Sequence, residues 1–300
     1  MEKVNMDQAV GLRRKGTQRI RPSETDSQPS TADRKPFRVM TVTSGKGGVG
    51  KSNVTINLAM AFDQLGLRVL IMDADLGLAN IDVLLGLAPK YNISHVLAGK
   101  KRLEDVIISG PGNIRIMPAS SGVQELTTLT DEQKLHFLDM FDGLETELDV
   151  LLIDTSAGIS DMVLYFNLAA QDRIVVITPE PTSLTDGYAL IKVLFTRHGE
   201  RNFRILANSV RDEREGKAIF AQISKVADHF LDGISLDYLG SIPFDPTVRQ
   251  AVLQQRALME VFPKSAAAKA FAALARNIQK TEPSLNHGTI QFFWKRLLNL

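Results

Sequence analysis

The 300-residue sequence predicts an α/β fold in which a doubly wound, mainly parallel sheet carries helices on both faces. Short runs rich in Val, Ile and Leu recur along the chain without strict alternation, as expected for strands that are buried on both faces. Segments with helical periodicity separate these runs. An alternating order of strands and helices is typical of a parallel sheet whose strands are joined by right-handed crossovers.

The alternating elements are predicted between residues 37 and 280. The predicted strands are 37–43, 68–73, 113–117, 149–154, 173–178, 203–207 and 236–242. The predicted helices are 50–64, 132–141, 186–197, 217–230, 246–255 and 264–279. Ligands of such sheets bind beyond the carboxyl ends of the strands, so the loops that follow the strands are the candidate functional site.

The composition is that of a soluble globular protein, with 44% apolar and 23% charged residues. The 35 basic and 34 acidic side chains give a net charge of +1, which argues against a general nucleic-acid binder. The absence of cysteine excludes disulfides, iron–sulfur clusters, thiolate zinc sites and a cysteine nucleophile. No run approaches the ~20 apolar residues of a membrane span and no secretory signal is recognised, so a cytoplasmic protein is expected.

The chain divides into five segments by composition. Residues 21–36 are rich in Pro, Ser and charged side chains and contain no Phe, Leu, Ile or Val, which predicts a disordered linker. This linker separates an N-terminal arm, residues 1–20, from the main domain at 37–280. A second linker is predicted at 281–288, before a terminal segment at 289–300.

The loop after the first predicted strand fits the phosphate-binding pattern G-x-x-x-x-G-K-[ST], with a strand before it and a helix after it. Its glycines allow backbone N–H groups to turn towards phosphate oxygens, and the start of the helix adds a positive potential. Lys51 is expected to reach the β- and γ-phosphates, and the Ser52 hydroxyl to bind Mg²⁺. The predicted nucleotide-binding residues of this loop are Gly45, Lys46, Gly47, Gly48, Val49, Gly50, Lys51, Ser52 and Asn53.

A buried acid is predicted at the end of the strand 149–154. Asp154 follows four apolar residues. An acid in this place is typical of the side chain that holds Mg²⁺ through water beside a bound nucleotide. The sequence therefore predicts Mg²⁺ as a cofactor.

A second lysine in the phosphate-binding loop makes the likeness to a known family specific. The segment K-G-G-V-G-K-S, residues 46–52, resembles the deviant Walker A motif of the MinD/ParA family of dimerising ATPases. The resemblance implies ATP as the nucleotide and a dimer in which Lys46 reaches the phosphates bound by the partner subunit. A solvated loop lysine is the alternative interpretation of Lys46.

The segment after the second predicted strand is similar to switch I of this family, D-x-D-x-G-x-x-N, at residues 73–80. The resemblance implies a catalytic role for Asp75, which would position the attacking water. It also implies that Asp73 supports the Mg²⁺ ion. Both acids could instead serve only as turn formers at the end of a strand.

The remaining parts of the nucleotide site are also similar to this family. Its switch II usually reads D-x-P-A-G, and this chain has Ser156 in place of the proline, a departure associated with the flagellar branch. Asn208 and Pro243 match positions that contact and cover adenine, so the preference for ATP over GTP depends on the resemblance. The switch II residues are Asp154, Ser156, Ala157 and Gly158.

The terminal segment 289–300 predicts an amphipathic membrane-targeting helix. Its apolar stripe, with basic side chains outside it, suits the surface of an anionic membrane, although the segment is too short to span one. A helix that docks on the protein's own core is the alternative. The predicted membrane-contacting residues are Ile290, Phe293, Trp294, Lys295, Arg296, Leu297 and Leu298.

The arm contains D-Q-A-x-x-L-R, residues 7–13, which looks like the activation motif at the N-terminus of the FlhG/FleN family of MinD-like ATPases. The resemblance implies that the arm binds the flagellar signal-recognition-type GTPase FlhF and stimulates its GTP hydrolysis. A short disordered arm without a partner is the alternative. The residues implied in the contact are Asp7, Gln8, Ala9, Leu12 and Arg13.

Together the resemblances imply a slow, switch-type ATPase that dimerises with ATP and controls the number or placement of flagella. It would bind reversibly to the inner face of the cell membrane, at the cell pole. The implied partners are a second copy of the chain, FlhF, anionic lipids, and flagellar switch-complex proteins or a flagellar transcription activator, but no specific nucleic acid. The alternatives are a MinD-type division-site regulator, a ParA-like partitioning ATPase, or a scaffold that binds ATP without turnover.

Overall fold

The structure, a computed structural model, describes residues 37–75, 80–118 and 148–281. The strands within them are β1 (Arg38–Ser44), β2 (Val69–Ala74), β3 (Ile108–Ser109), β4 (Arg115–Met117), β5 (Val150–Ala157), β6 (Asp172–Ile177), β7 (Asn202–Val210) and β8 (Ser235–Pro243). They form one sheet in the order β3-β4-β2-β5-β1-β6-β7-β8. The short edge strand β3 is antiparallel to β4, and the other described pairs are parallel, so the predicted fold class is confirmed.

Helices cover both faces of this sheet. They are α1 (Lys51–Gln64), α2 (Ile81–Leu84), α3 (Ile93–Leu97), α4 (Leu103–Val106), α5 (Asp161–Ala169), α6 (Pro181–His198), α7 (Glu213–Phe230), α8 (Pro246–Leu253), α9 (Leu258–Val261) and α10 (Ala266–Lys280). One core joins α1 and α10 to one face, and two further cores join α5, α6 and α7 to the other. Among these helices, none is both long and apolar enough to cross a membrane.

All seven predicted strands are present, with ends that differ from the prediction by at most three residues. Helix α5 was not predicted, because most of its side chains are buried and its sequence lacks the polar face of an amphipathic helix. The start of α6 lies at Pro181, five residues before the predicted start, because proline suits the first turn of a helix. The helix predicted at 132–141 lies outside the described residues.

A buried cluster of charges fixes the end of α10 at the amino ends of three strands. The Asp172 carboxylate, on β6, receives Arg38 Nε at 2.5 Å and Arg204 Nε at 3.2 Å. The Arg38 guanidinium also donates to the carbonyl oxygens of Ile278 at 2.5 Å and Thr281 at 3.1 Å. Loss of one partner from such a buried network typically costs about 3–5 kcal/mol, so this cluster strongly constrains the position of Ile278 and Thr281.

Candidate active site

Strand register brings four polar side chains to one face of the sheet. Asp73 on β2 lies opposite Asp154 on β5. Because side chains alternate along a strand, Asp75 and Ser156, two residues further on, are directed to the same face. The paired residues two positions earlier pack in the core beneath α1. The four side chains therefore lie at the carboxyl ends of the strands, on the side where α1 begins.

The phosphate-binding loop connects β1 to α1 and needs glycine at two positions. Gly50, which precedes α1, has φ +92°, and a Cβ atom there would lie 2.7 Å from Asn208 Nδ2. A Cβ atom on Gly45 would lie 1.9 Å from the carbonyl oxygen of Asp186 in α6. The loop thus packs directly against α6, at a distance that only glycine permits.

Lys51 begins α1 and lies among oxygen atoms. Its Nζ donates to Ser44 Oγ at 3.1 Å, and Ser44 Oγ donates to the carbonyl oxygen of Lys46 at 2.7 Å. Burial lowers the pKa of Lys51, whereas the nearby carboxylates of Asp154 and Asp75 act in the opposite direction. The structure therefore brings the predicted phosphate-binding lysine together with the two acids predicted for metal binding and for catalysis.

Asp154 is a buried carboxylate with an unused oxygen. Thr55 Oγ1 donates to its Oδ1 at 3.2 Å, and Oδ2 has no hydrogen-bond partner in the described part of the chain. Burial raises the pKa of Asp154 to about 7, although the hydroxyls of Ser52 and Thr55 act against this rise. A buried carboxylate beside a serine hydroxyl is an all-oxygen donor set, which is the kind that Mg²⁺ binds together with water and phosphate oxygens. The residues present fit Mg²⁺.

Both oxygens of Asp73 are already used by backbone groups. Oδ1 accepts from Asp75 N at 3.1 Å, and Oδ2 accepts from Asn80 N and Ile81 N, each at 3.2 Å. Burial raises the pKa of Asp73 to about 6. These bonds join the two described ends of the switch I segment. The geometry therefore favours a role for Asp73 in forming this loop, and its role at the metal stays a prediction.

Switch II contacts both switch I and the phosphate-binding loop. Ser156 Oγ donates to Asp75 Oδ1 at 3.0 Å. Gly158 N donates to the carbonyl oxygen of Ser44 at 2.9 Å. The carboxylate predicted to position water is therefore held by the residue that departs from the family pattern.

Lys46 is paired within its own chain. Its Nζ contacts the Glu180 carboxylate and donates to Thr182 Oγ1 at 2.8 Å, both at the start of α6. The Glu180 side chain is 61% exposed. An ion pair with this exposure typically contributes between zero and about 1 kcal/mol, so Lys46 can leave it at little cost.

Asn208 and Pro243 line a cavity of about 540 Å³ next to the phosphate-binding loop. Asn208 Nδ2 donates to the carbonyl oxygen of Val49 at 2.8 Å, which joins β7 to that loop. Phe271 lines the same cavity, and so does Phe244, which is 68% exposed. The volume and the mixed polar and aromatic lining are those of a small-molecule site.

Four contacting residues were not predicted from the sequence. Thr55 lies one helical turn after Lys51, so the periodicity of α1 could have identified it as a neighbour of the loop. The hydroxyl of Ser44 carries no motif of its own. The partners of Lys46, Glu180 and Thr182, are more than 130 residues away in sequence, and no local pattern indicates them.

The predicted arm at 1–20, the linker at 21–36 and the tail at 289–300 lie outside the described residues, and so do residues 282–288 of the linker predicted at 281–288. The predicted site residues in these segments are Asp7, Gln8, Ala9, Leu12 and Arg13 in the arm, and Ile290, Phe293, Trp294, Lys295, Arg296, Leu297 and Leu298 in the tail.

Comparison with known proteins places the chain among P-loop NTPases. Residues 36–279 match the model of the ParA family, described as the NUBPL iron-transfer P-loop NTPase. The antiactivator FleN of Pseudomonas aeruginosa is 48% identical over 264 residues, which are 88% of this chain and 94% of FleN. The flagellum site-determining protein YlxH of Helicobacter pylori is 32% identical over 266 residues, 87% of this chain and 90% of YlxH.

A solved structure has the same fold. The septum site-determining protein MinD of Pyrococcus horikoshii, in complex with Mg-ADP, superposes with a TM-score of 0.63. It is 29% identical, and the match covers 81% of this chain and 96% of that one. The match to MinD supports the fold class of this chain.

The raised pKa of Asp154 predicts a pH-dependent change in stability. A carboxyl whose pKa rises from 3.8 to about 7 on folding lowers the free energy of unfolding progressively as pH rises between those values. Without nucleotide and metal, Asp154→Asn should remove this penalty. We expect its free energy of unfolding, relative to wild type, to be about 2.6 kcal/mol higher at pH 8 than at pH 5. Denaturant unfolding at the two pH values measures it.

The matched control is Asp232→Asn, because Asp232 is exposed and no contact to the nucleotide site is recorded for it. The control should change the free energy of unfolding equally at both pH values. The difference between pH 5 and pH 8 is decisive, because any packing defect caused by the amide in the Asp154→Asn variant is independent of pH. An equal change at pH 5 and pH 8 for Asp154→Asn would contradict the prediction.

Proposed function

Because this chain belongs to the MinD/ParA family of P-loop NTPases, we propose that it is a Mg²⁺-dependent ATPase that alternates between a monomer and an ATP-bound dimer. The observation that carries the proposal is the buried Asp154 carboxylate beside Ser52 and Lys51, with one oxygen unpartnered in the described residues. A cation at this oxygen would offset the cost of burying the charge, and a phosphate-binding loop at the start of a helix lies next to it.

The residues of the site have separate tasks in this proposal. Backbone N–H groups of the loop and the Lys51 ammonium bind phosphate oxygens, while Asn208 and Pro243 bound the cavity for adenine. Ser52 and Asp154 would hold Mg²⁺, which supplies positive charge to the phosphates during transfer. Asp75 orients the attacking water and accepts its proton. The description of the matching family model includes iron transfer. We do not propose this activity for the chain, because it has no cysteine to hold a cluster.

Dimerisation depends on Lys46 in this proposal. In the single chain its ammonium pairs with Glu180 and Thr182 at the surface. When two ATP-bound chains meet, Lys46 leaves these partners and reaches the phosphates in the partner subunit. The weakness of an exposed ion pair supports such an exchange, because little free energy is needed to break it.

We further propose that the dimer regulates flagella. The relatives FleN and YlxH carry the names antiactivator and flagellum site-determining protein. The former name supports a flagellar transcription activator as a partner, and flagellar switch-complex proteins are a second class of partner. The arm at 1–20 binds and stimulates FlhF. A MinD-type division-site regulator is the second candidate, supported by the likeness to MinD.

We also propose that the dimer is held at the inner face of the cell membrane by residues 289–300. The stripe of apolar side chains would enter the membrane interface, with Lys295 and Arg296 towards anionic headgroups. One such short helix binds weakly, whereas two helices on one dimer bind together and gain from effective concentration. ATP-dependent dimerisation would thereby control membrane residence.

The first test of the ATPase cycle is Asp75→Ala. Loss of the water-orienting carboxylate should lower the rate of ATP hydrolysis roughly 100-fold without preventing ATP binding. The variant should therefore persist as a dimer in ATP, while the wild type returns to monomer as ATP is consumed. Phosphate release and light scattering on a sizing column measure the two effects. The exposed Asp232→Ala is the control, and a monomeric Asp75→Ala variant in ATP would contradict the cycle.

A pair of adjacent phenylalanines tests the tail. Phe293 lies in the predicted apolar stripe and Phe292 lies outside it, so Phe293→Glu should weaken binding of the ATP-bound chain to anionic vesicles roughly tenfold or more, and Phe292→Glu much less. Removal of residues 290–300 should abolish binding and leave the dimer intact. Co-sedimentation with phosphatidylglycerol vesicles measures this. Equal losses for the two variants, or binding by the shortened chain, would contradict the proposal.

The flagellar role is tested with FlhF from the same organism. The full chain should accelerate GTP hydrolysis by FlhF, and Gln8→Ala should remove most of the acceleration because Gln8 is implied to lie at the bound nucleotide. Gln18→Ala, the same change later in the arm, is the matched control and should retain it. Formation of GDP is the measurement. No acceleration of a competent FlhF would favour the division-site regulator instead.

A further inference from the structure

We propose that Ser156 is a positioning residue for ATP hydrolysis, because its hydroxyl fixes the orientation of the Asp75 carboxylate. The inference rests on the proposed ATPase function and adds a role for the residue that stands where the family pattern has proline. The observation that carries it is the hydrogen bond from Ser156 Oγ to Asp75 Oδ1, at 3.0 Å.

The contact follows from the sheet. Asp73 and Asp154 are paired across β2 and β5, and the ladder ends one residue later, at Ala74 and Thr155. The next pair of side chains on the same face is Asp75 with Ser156, and neighbouring side chains of one face lie close enough for a serine to reach a carboxylate. The position of the hydroxyl is therefore determined by the strand register.

Ser156 lies near the end of β5, one residue past the ladder with β2 and at an irregularity in the pairing with β1, whereas Asp75 lies at the edge of switch I. β5 is paired with β1 on one side and with β2 on the other. The preceding residue adds side-chain bonds, since Thr155 Oγ1 lies 3.2 Å from the carbonyl oxygen of Val42 and 3.0 Å from Thr43 Oγ1. A donor held in this way restricts the rotation of the Asp75 carboxylate, which is a form of preorganisation.

The chemistry of the side chain matters for this role. A serine O–H donates to an ionised carboxylate, and a bond to a charged acceptor is stronger than one between neutral groups. Proline and alanine have no such donor. Threonine has the same hydroxyl and one more methyl group. The described contacts of the Ser156 side chain are with Asp75 and not with the phosphate-binding loop. Loss of the hydroxyl should therefore affect turnover and not nucleotide affinity.

The experiment compares steady-state ATP hydrolysis by the full chain with saturating Mg²⁺. We expect Ser156→Ala to lower kcat roughly tenfold with KM for ATP within about twofold of wild type, and Ser156→Thr to restore most of kcat. Ser224→Ala is the matched control, because Ser224 lies on α7 and its buried hydroxyl has no partner in the described residues. ATP-dependent dimerisation should be unchanged in all three variants.

A double-mutant cycle decides whether the hydroxyl acts through Asp75. In the Asp75→Ala background, Ser156→Ala should produce no further loss, measured in single-turnover reactions with excess protein. An unchanged kcat in Ser156→Ala, a raised KM, or failure of Ser156→Thr to restore turnover would each overturn the proposal. Equal losses in both backgrounds would overturn it as well. A wild-type rate in Asp75→Ala alone would instead overturn the catalytic role of Asp75, which belongs to the proposed function.

Discussion

The register of β2 against β5 is the constraint on which the candidate site depends. It places Asp73 opposite Asp154 and, two residues later, brings Ser156 to Asp75. A slip by one residue would move the side chains of one strand to the opposite face, away from α1 and the phosphate-binding loop. Both strands are buried on both faces, so a slip would exchange Ile71 for Leu70 or Met72, and apolar packing alone does not select this register. The acids contribute to the selection, because the slip would turn Asp73 or Asp154 towards the apolar core on the opposite face.

Buried polar side chains lie on both faces of the sheet, and the nucleotide site is on one of them. On the face away from α1, Thr155 and Asn167 meet at Thr43 Oγ1, at 3.0 and 3.2 Å, and Thr41 Oγ1 donates to Asn167 Oδ1 at 3.0 Å. This network joins β5 and β1 to α5. On the face of α1, Asp154 Oδ2 has no partner in the described residues. Because an ionised carboxylate costs more to bury than a hydroxyl, Asp154 Oδ2 is a favourable place for a bound cation.

Much of the fold and site could be predicted from sequence because the responsible signals are local. Buried strands are continuous apolar runs, and the phosphate-binding loop needs glycines and a lysine at fixed spacing. The pairing of Lys46 with Glu180 could not be predicted, since it depends on how α6 packs against the loop. Asp73 shows a second limit of prediction from sequence. Its position after a strand suits a metal ligand and a turn former equally, and only the hydrogen bonds to switch I distinguish them.

The position of Thr281 is relevant to the proposal that bound nucleotide controls membrane binding by the segment at 289–300. The charged cluster around Asp172 holds Thr281 at the amino ends of the strands, whereas the nucleotide loops follow the carboxyl ends. β1 has seven residues, so roughly 20 Å of paired strand separates the two edges. A conformational signal within one chain would have to cross this length of close-packed sheet. Control of membrane binding by the number of tails needs no such transmission. Once one tail of a dimer is bound, the effective concentration of the second tail at the membrane is high, wherever the tails are attached. In the proposed cycle, the number of tails on a dimer is therefore a sufficient link between ATP and the membrane.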